Sequence, residues 1–218
     1  MQKLLATVFL CVFVTAFSAA QAGKVEIIGA ATDSSVPELV RQNLEPKGYL
    51  LTTDSAKPTC ELWLRKSVPA QAAKETEGVD YPEIAESTMV GLIHFADAAS
   101  DFRGHTIPAG FYTLRYELMP NDGNHLGAAP NRDFLLLVPA ASDPDPAATF
   151  KFNELMSLSA KTGGTKHPSP LSLIPPDKPG SGTIAKDDQD HWIFNGTWKL
   201  SSGKDFPFAL IVKGIAQQ

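Results

Sequence analysis

Three features of the sequence predict a mainly β protein, an antiparallel β-sandwich or open barrel with a short N-terminal helix and one further helix. From residue 59 onward, apolar residues alternate with polar ones in runs such as "CELWLRK", "TMVGLIHFA", "GFYTLRYELM" and "FPFALIVKG". Gly, Pro, Asn and Asp separate these runs, as turn chemistry requires. Helical spacing is confined to two short stretches.

The opening "MQKLLATVFLCVFVTAFSAAQAG" reads as a secretory signal: Lys3, then an apolar run from Leu4 to Phe17, then small residues at Ala20 and Ala22, with cleavage expected after Ala22. That run falls short of the about 20 residues a membrane-spanning helix needs, so export to a periplasmic or extracellular space is expected rather than anchoring. Residues 1–22 are thus assigned to the signal and 23–218 to a single domain.

Strand, helix and strand are expected across "KVEIIGAATDSSVPELVRQNLEPKGYLLTT". Ser35 and Glu38 have capping-box spacing, Pro37 suits a first turn, and Val36, Leu39, Val40 and Leu44 share one face. In "FYTLRYELM", Tyr112, Leu114, Tyr116 and Leu118 face one way and Thr113, Arg115 and Glu117 the other, which predicts one wet face. "FLLLV" is apolar on both faces and is expected at the centre of the sheet. A second helix is expected in "NELMSLSAKTGG", capped by Asn153. The following "HPSPLSLIPPDKPGSG" has too many prolines for more than a short edge piece. In "HWIFNGTWKL", Asn195-Gly196 predicts a two-residue type I′ hairpin, which sends Trp192 and Trp198 to opposite faces. Asn195-Gly196-Thr197 also fits a glycosylation acceptor, provided that turn is accessible.

The formal charge of −5, which becomes −6 once Lys3 is removed, and the lack of basic runs argue against nucleic acid as a partner. Cys11 goes with the signal, leaving Cys60 alone and no internal disulfide. Cys60 reads either as a small buried thiol or as a reactive nucleophile, and the second needs an electropositive setting that the sequence does not show. The acidic stretch 74–86 reads as a solvated loop or as a surface for a cation or partner.

The stretch "IPAGFYTLRYELMPNDGNHLGAAPNRDFLLLVPA" (107–140), with "ELWLRK", "HPSPLSL" and "FPFALIVKG", resembles a group of exported bacterial proteins of unknown function. Its "IPAGFYTL" piece is similar to a wider bacterial family and to the edges of transthyretin-like and collagen-binding-type sandwiches. The resemblance implies fold and export, not an activity. Independently of it, Pro108 and Gly110 are placed to make a turn, and the Tyr112 hydroxyl to tie down a neighbouring backbone as a tyrosine corner does.

"MPNDGNHLG" (119–127) joins two expected strands and concentrates polar groups on one loop. One reading makes it a turn. The other makes it a ligand site built from Asp122, Asn124, His125 and Asp133, with His125 and His167 able to hold zinc or copper. A continuous "FYTLRYELM" strand puts its ends about 30 Å apart, which separates His105 from His125 and leaves His167 as the histidine free to join the latter. Neither a nucleophile elbow, a phosphate loop nor a dinucleotide glycine pattern occurs, and no carboxylate pair stands out. The leading expectation is a non-enzymatic binding module whose partner is a small molecule, glycan or protein. The alternatives are a metal-dependent protein using His125 and His167, and a carbohydrate binder presenting Trp63, Trp192 and Trp198.

Overall fold

Alternating apolar residues build strands in nearly every run that predicts one. The computed structural model describes residues 23–54, 57–121, 130–163, 167–176, 180 and 182–215; the expected signal at 1–22 lies outside them. In order the strands of the main sheet are β1 (Lys24–Ile28), β2 (Gly48–Thr52), β3 (Cys60–Leu64), β4 (Met89–Phe95), β7 (Gly110–Leu118), β8 (Asp133–Pro139), β9 (Pro170–Ile174), β10 (Thr183–Lys186), β11 (Trp192–Lys199) and β12 (Asp205–Lys213). A small hairpin, β5 (Ala99–Ser100) and β6 (Thr106–Ile107), precedes β7. The helices are α1 (Glu38–Asn43) and α2 (Phe152–Gly163).

The ten strands form one sheet in the order β1-β2-β3-β4-β7-β8-β9-β12-β11-β10, antiparallel throughout. It curls until its edges meet where the Gly23 amide donates to the Ile184 carbonyl (3.2 Å), giving a nearly closed barrel. Inward positions of every long strand, among them Leu62, Ile93, Leu114, Leu137, Phe194 and Leu210, form one core. The outer face carries two smaller clusters. Val36, Val40 and Leu44, on α1 and its flanks, pack on Trp63 and Leu92, while Leu155 of α2 packs on Phe134, Leu136 and Val138. β8 is buried on both faces and sits mid-sheet, as its unbroken apolar run predicts.

Several local expectations are overturned. There is no hairpin at Asn195-Gly196: β11 runs straight through, with Asn195 opposite Ala209 and Gly196 opposite Phe208. The turn comes later, at residues 200–204, where Gly203 has φ +85°. Asn-Gly permits positive φ without requiring it, and continued alternation wins by burying Trp192, Phe194 and Trp198 on one face. Both indoles therefore point inward. Gly196 has a different use: a Cβ there would lie 2.6 Å from the Phe208 ring, which stacks on Trp198 at 3.9 Å. The glycosylation pattern likewise falls in a paired strand rather than a turn.

The proline-rich stretch supplies not an edge piece but β9, an interior strand. Residues 170–172 pair with β8, and 173–174 pair with β12. Pro170, which has no N–H, opens the strand, where proline is tolerated. At α1 no capping box forms, because Ser35 donates from both its amide and its hydroxyl to Asp33 Oδ1 (2.8 and 2.6 Å). Leu39 points to solvent, off the stripe of Val36, Val40 and Leu44. α2 starts at Phe152, a residue before the expected Asn153 cap, with the Lys151 amide donating to Glu154 Oε2.

The outer face of β7 is dry. Thr113, Arg115 and Glu117 are all buried, and the segment 140–150 lies across Thr113 and Arg115. Arg115 engages its five N–H donors: Nε and Nη2 grip the Asp143 carboxylate at 2.7 Å each, and the remainder reach the carbonyls of Ser87, Ala148 and Asp145. Thr113 donates to the same carboxylate (2.5 Å), and the Phe150 ring covers the guanidinium at 4.8 Å. The acidic stretch 74–86 is not fully solvated either, since Tyr81 and Ile84 plug the core. As expected for a tyrosine corner, the Tyr112 hydroxyl donates to the Pro108 carbonyl at 2.8 Å. Cys60 is a buried small residue in β3, its thiol pushed up to about 12 by burial and by Glu61, so it is no nucleophile.

Gly196→Ala is expected to cost about 1–3 kcal/mol through the clash with Phe208. Gly203→Ala, with open space around the added methyl, should cost about 1 kcal/mol from its backbone alone. Urea denaturation of the two variants checks this, and a greater loss at position 203 would contradict the continuous β11.

Candidate functional site

Of the residues proposed for the loop site, Asp122, Asn124 and His125 lie outside the described residues. Asp133 is described and opens β8, fully buried. Its Oδ1 accepts the Tyr116 hydroxyl (2.6 Å) and the Tyr81 amide (3.2 Å), and its Oδ2 accepts the Asp80 amide (3.0 Å). Its carboxylate thus holds the plug containing Tyr81 against the sheet. Burial, with the Asp133 charge second, raises the pKa of Asp80; burial is also the largest cause of the raised values at Tyr81 and Tyr116.

The described histidines occupy two settings. His94, in β4, lies 2.7 Å from Glu61 and stacks on Phe111 at 4.0 Å, on the side of the barrel where β7 begins. His105, His167 and His191 gather at the end of the barrel beside the β5–β6 hairpin. There two loops share one construction, unnoticed in the sequence although its Asp-x-x-x-His spacing is legible in "DFRGH" and "DDQDH". Asp101 Oδ1 accepts the amides of Arg103 and His105, and Oδ2 lies 3.1 Å from His105 Nδ1. Asp187 treats Gln189 and His191 in the same way, again with 3.1 Å to Nδ1. Each loop needs positive φ at the residue before the histidine, supplied by Gly104 (+82°) and Asp190 (+67°). Phe102 meets the His191 ring at 5.2 Å, and His167 stacks nearly parallel on His105 at 5.8 Å. Among the described residues no group of three or more His, Cys, Asp or Glu is placed to hold a metal ion.

Beside this end a groove of about 250 Å³ runs along the outer face of β8 and β9. Phe134, Pro170 and Ser172 form its floor, and α2 contributes Phe152 and Met156. Met119 and Pro120, which lead into residues 122–129, line it where β7 ends. Phe102, Arg103, His167 and Pro168 line it toward the histidine cluster. The walls are mostly apolar, and Phe152 is more than a third exposed, an unusual state for a large apolar side chain at the edge of a cavity. The three tryptophans are elsewhere: Trp63, Trp192 and Trp198 are at most 4% exposed, so none presents a ring face to a sugar.

Glu117 is the carboxyl whose chemistry is most altered, pushed up to about 7 mainly by burial, with the Glu86 charge adding to it and the Leu118 amide, donating at 3.0 Å, opposing it. It faces the covered side of β7 and does not line the groove. Perturbed acids often mark reactive sites, but Glu117 itself does not line the cavities described; its neighbours Tyr116 and Leu118, with Glu86, line a separate one of about 310 Å³.

Comparison of the chain with protein-family models, with curated proteins and with solved structures found no match.

Because the folded pKa of Glu117 lies above its unfolded value of 4.5, the native state holds that proton more tightly, and stability should fall as pH rises from about 4.5 through 7. The effect is bounded at roughly 3 kcal/mol. Glu117→Gln should flatten this decline when denaturation midpoints are compared at pH 5 and pH 8; equal slopes in both proteins would contradict the assignment.

Proposed function

We propose that the protein is an exported, non-enzymatic binding module that takes a small apolar ligand in the groove between α2 and β9. One observation carries this reading: a mostly apolar cavity, formed between a helix and the sheet, keeps Phe152 exposed at its edge although apolar side chains are ordinarily buried. The floor is stiff. Phe134 and Ser172 are paired backbone positions of β8 and β9, and α2 is fixed to the sheet through buried Leu155. The loop 119–127, which the sequence singles out, enters the same reading because its first residues, Met119 and Pro120, line the groove. Export rests on the signal-like residues 1–22 and on the resemblance to exported bacterial proteins. Among the described residues no helix is long and apolar enough to cross a membrane.

The uncharged dye N-phenyl-1-naphthylamine should bind saturably with increased emission. Phe152→Asp, at an exposed position, should weaken binding about tenfold or more, since losing one apolar contact and adding a charge amounts to about 1.5–3 kcal/mol. Absence of saturable binding, or binding unchanged in both Phe152→Asp and Met156→Glu, would overturn the proposal.

A further inference from the structure

We infer that the groove selects a single-chain alkyl carboxylate, its acid group held by Arg103 at the end where His167 and His105 stack. This rests on the groove-binding reading above and specifies the class of ligand.

The ionisable side chains lining the groove among the described residues are Arg103 and His167, both of the cationic type; no acid lines it. A mostly apolar cavity with a permanent cation, Arg103, toward one end complements a molecule that is apolar along its length and negative at its tip. Arg103 is the stronger recogniser. Its guanidinium is exposed and makes no hydrogen bond, ion pair or ring contact among the described residues, unlike Arg115 and Arg132, whose side chains are tied to the fold. A planar fork of N–H donors fits a carboxylate in two parallel hydrogen bonds.

The fork is also held in place at its base. Asp101, fully buried, accepts the Arg103 amide at 2.9 Å and the His105 amide at 2.8 Å, fixing the backbone of the loop that carries the guanidinium. Phe102, between Asp101 and Arg103, is packed against His191, which ties the loop to the start of β11. The recogniser therefore pays little of the ordering entropy that a mobile loop would lose on binding. Pro168, Pro170 and Ser172 all line the groove, and the extended chain from Pro168 to Ser172 spans about 13 Å, enough for a medium-length alkyl chain.

Displacement of N-phenyl-1-naphthylamine by decanoate and by decanol tests the inference on the purified protein. In the wild type, decanoate should displace the dye at a concentration at least tenfold lower than decanol. In Arg103→Gln that advantage should vanish, decanoate displacing the dye no better than decanol. Equal displacement by acid and alcohol in the wild type, or an acid preference that survives Arg103→Gln, overturns the carboxylate inference and leaves the groove reading standing. Failure of the dye and both decyl compounds to bind overturns the groove reading and this inference with it.

Discussion

The sheet depends on how β9 is shared. Its first half bonds to β8 and its second half to β12, so five residues join the two halves of a ten-stranded sheet. Where the β9–β12 ladder ends, one side chain continues it: the Tyr81 hydroxyl donates to the Ile174 carbonyl at 2.6 Å and accepts the Ala209 amide at 3.2 Å. Without that hydroxyl the buried Ala209 amide would be left unpaired, at a cost of about 1–3 kcal/mol, and the half-buried Ile174 carbonyl would lose its partner. Tyr81 is in turn held by Asp133, through its own amide and through the shared bond to Tyr116. The floor of the groove is the outer surface of this same junction.

The polar residues buried on the outer face of β7 answer a related constraint. A sheet that curls around one core still has a convex side, and here segments that are not strands cover much of it. The segment 140–150 presents carbonyls and the Asp143 carboxylate rather than apolar side chains, so its match is Arg115, whose five donors are all used. A buried pair of this kind adds little net stability but makes one arrangement of the covering segment far better than any other, because an unpartnered charge there would be very costly. Arg65 serves the same segment by donating to the Pro146 carbonyl, although its Nε is left without a partner.

Strand existence was legible wherever burial on one or both faces imposed a period, as in β4, β7, β8 and β12. Misreadings arose where a local signal permitted a structure that longer-range packing did not choose. Asn195-Gly196 allows a hairpin, yet the inward run of Trp192, Phe194 and Trp198 is continuous only if the chain stays straight. The prolines around β9 lower strand propensity, but Pro170 opens the strand and Leu171 and Leu173 still fill inward positions. Arg115 and Glu117 alternate with apolar residues as a wet face does, and nothing in that segment reveals that 140–150 will cover it. As for the site, the loop 119–127 was singled out for its polar residues, whereas two of its described residues, Met119 and Pro120, contribute apolar surface to the groove. Arg103 escaped notice because its setting depends on the Asp101-to-His105 turn, a spacing that is visible in the sequence only once its duplicate at Asp187 and His191 is recognised.

Native-state amide hydrogen exchange tests the shared role of β9 most directly. The Leu137 amide, which donates to the Ser169 carbonyl, and the Ala209 amide, which donates to Tyr81, report on the two sides of the junction. If the ten strands form one cooperative sheet, both should exchange only through global unfolding, at the rates of Leu114 in β7 and Phe194 in β11. Exchange at Leu137 and Ala209 that is orders of magnitude faster, with Leu114 and Phe194 still protected, would show two separately stable halves and contradict the account.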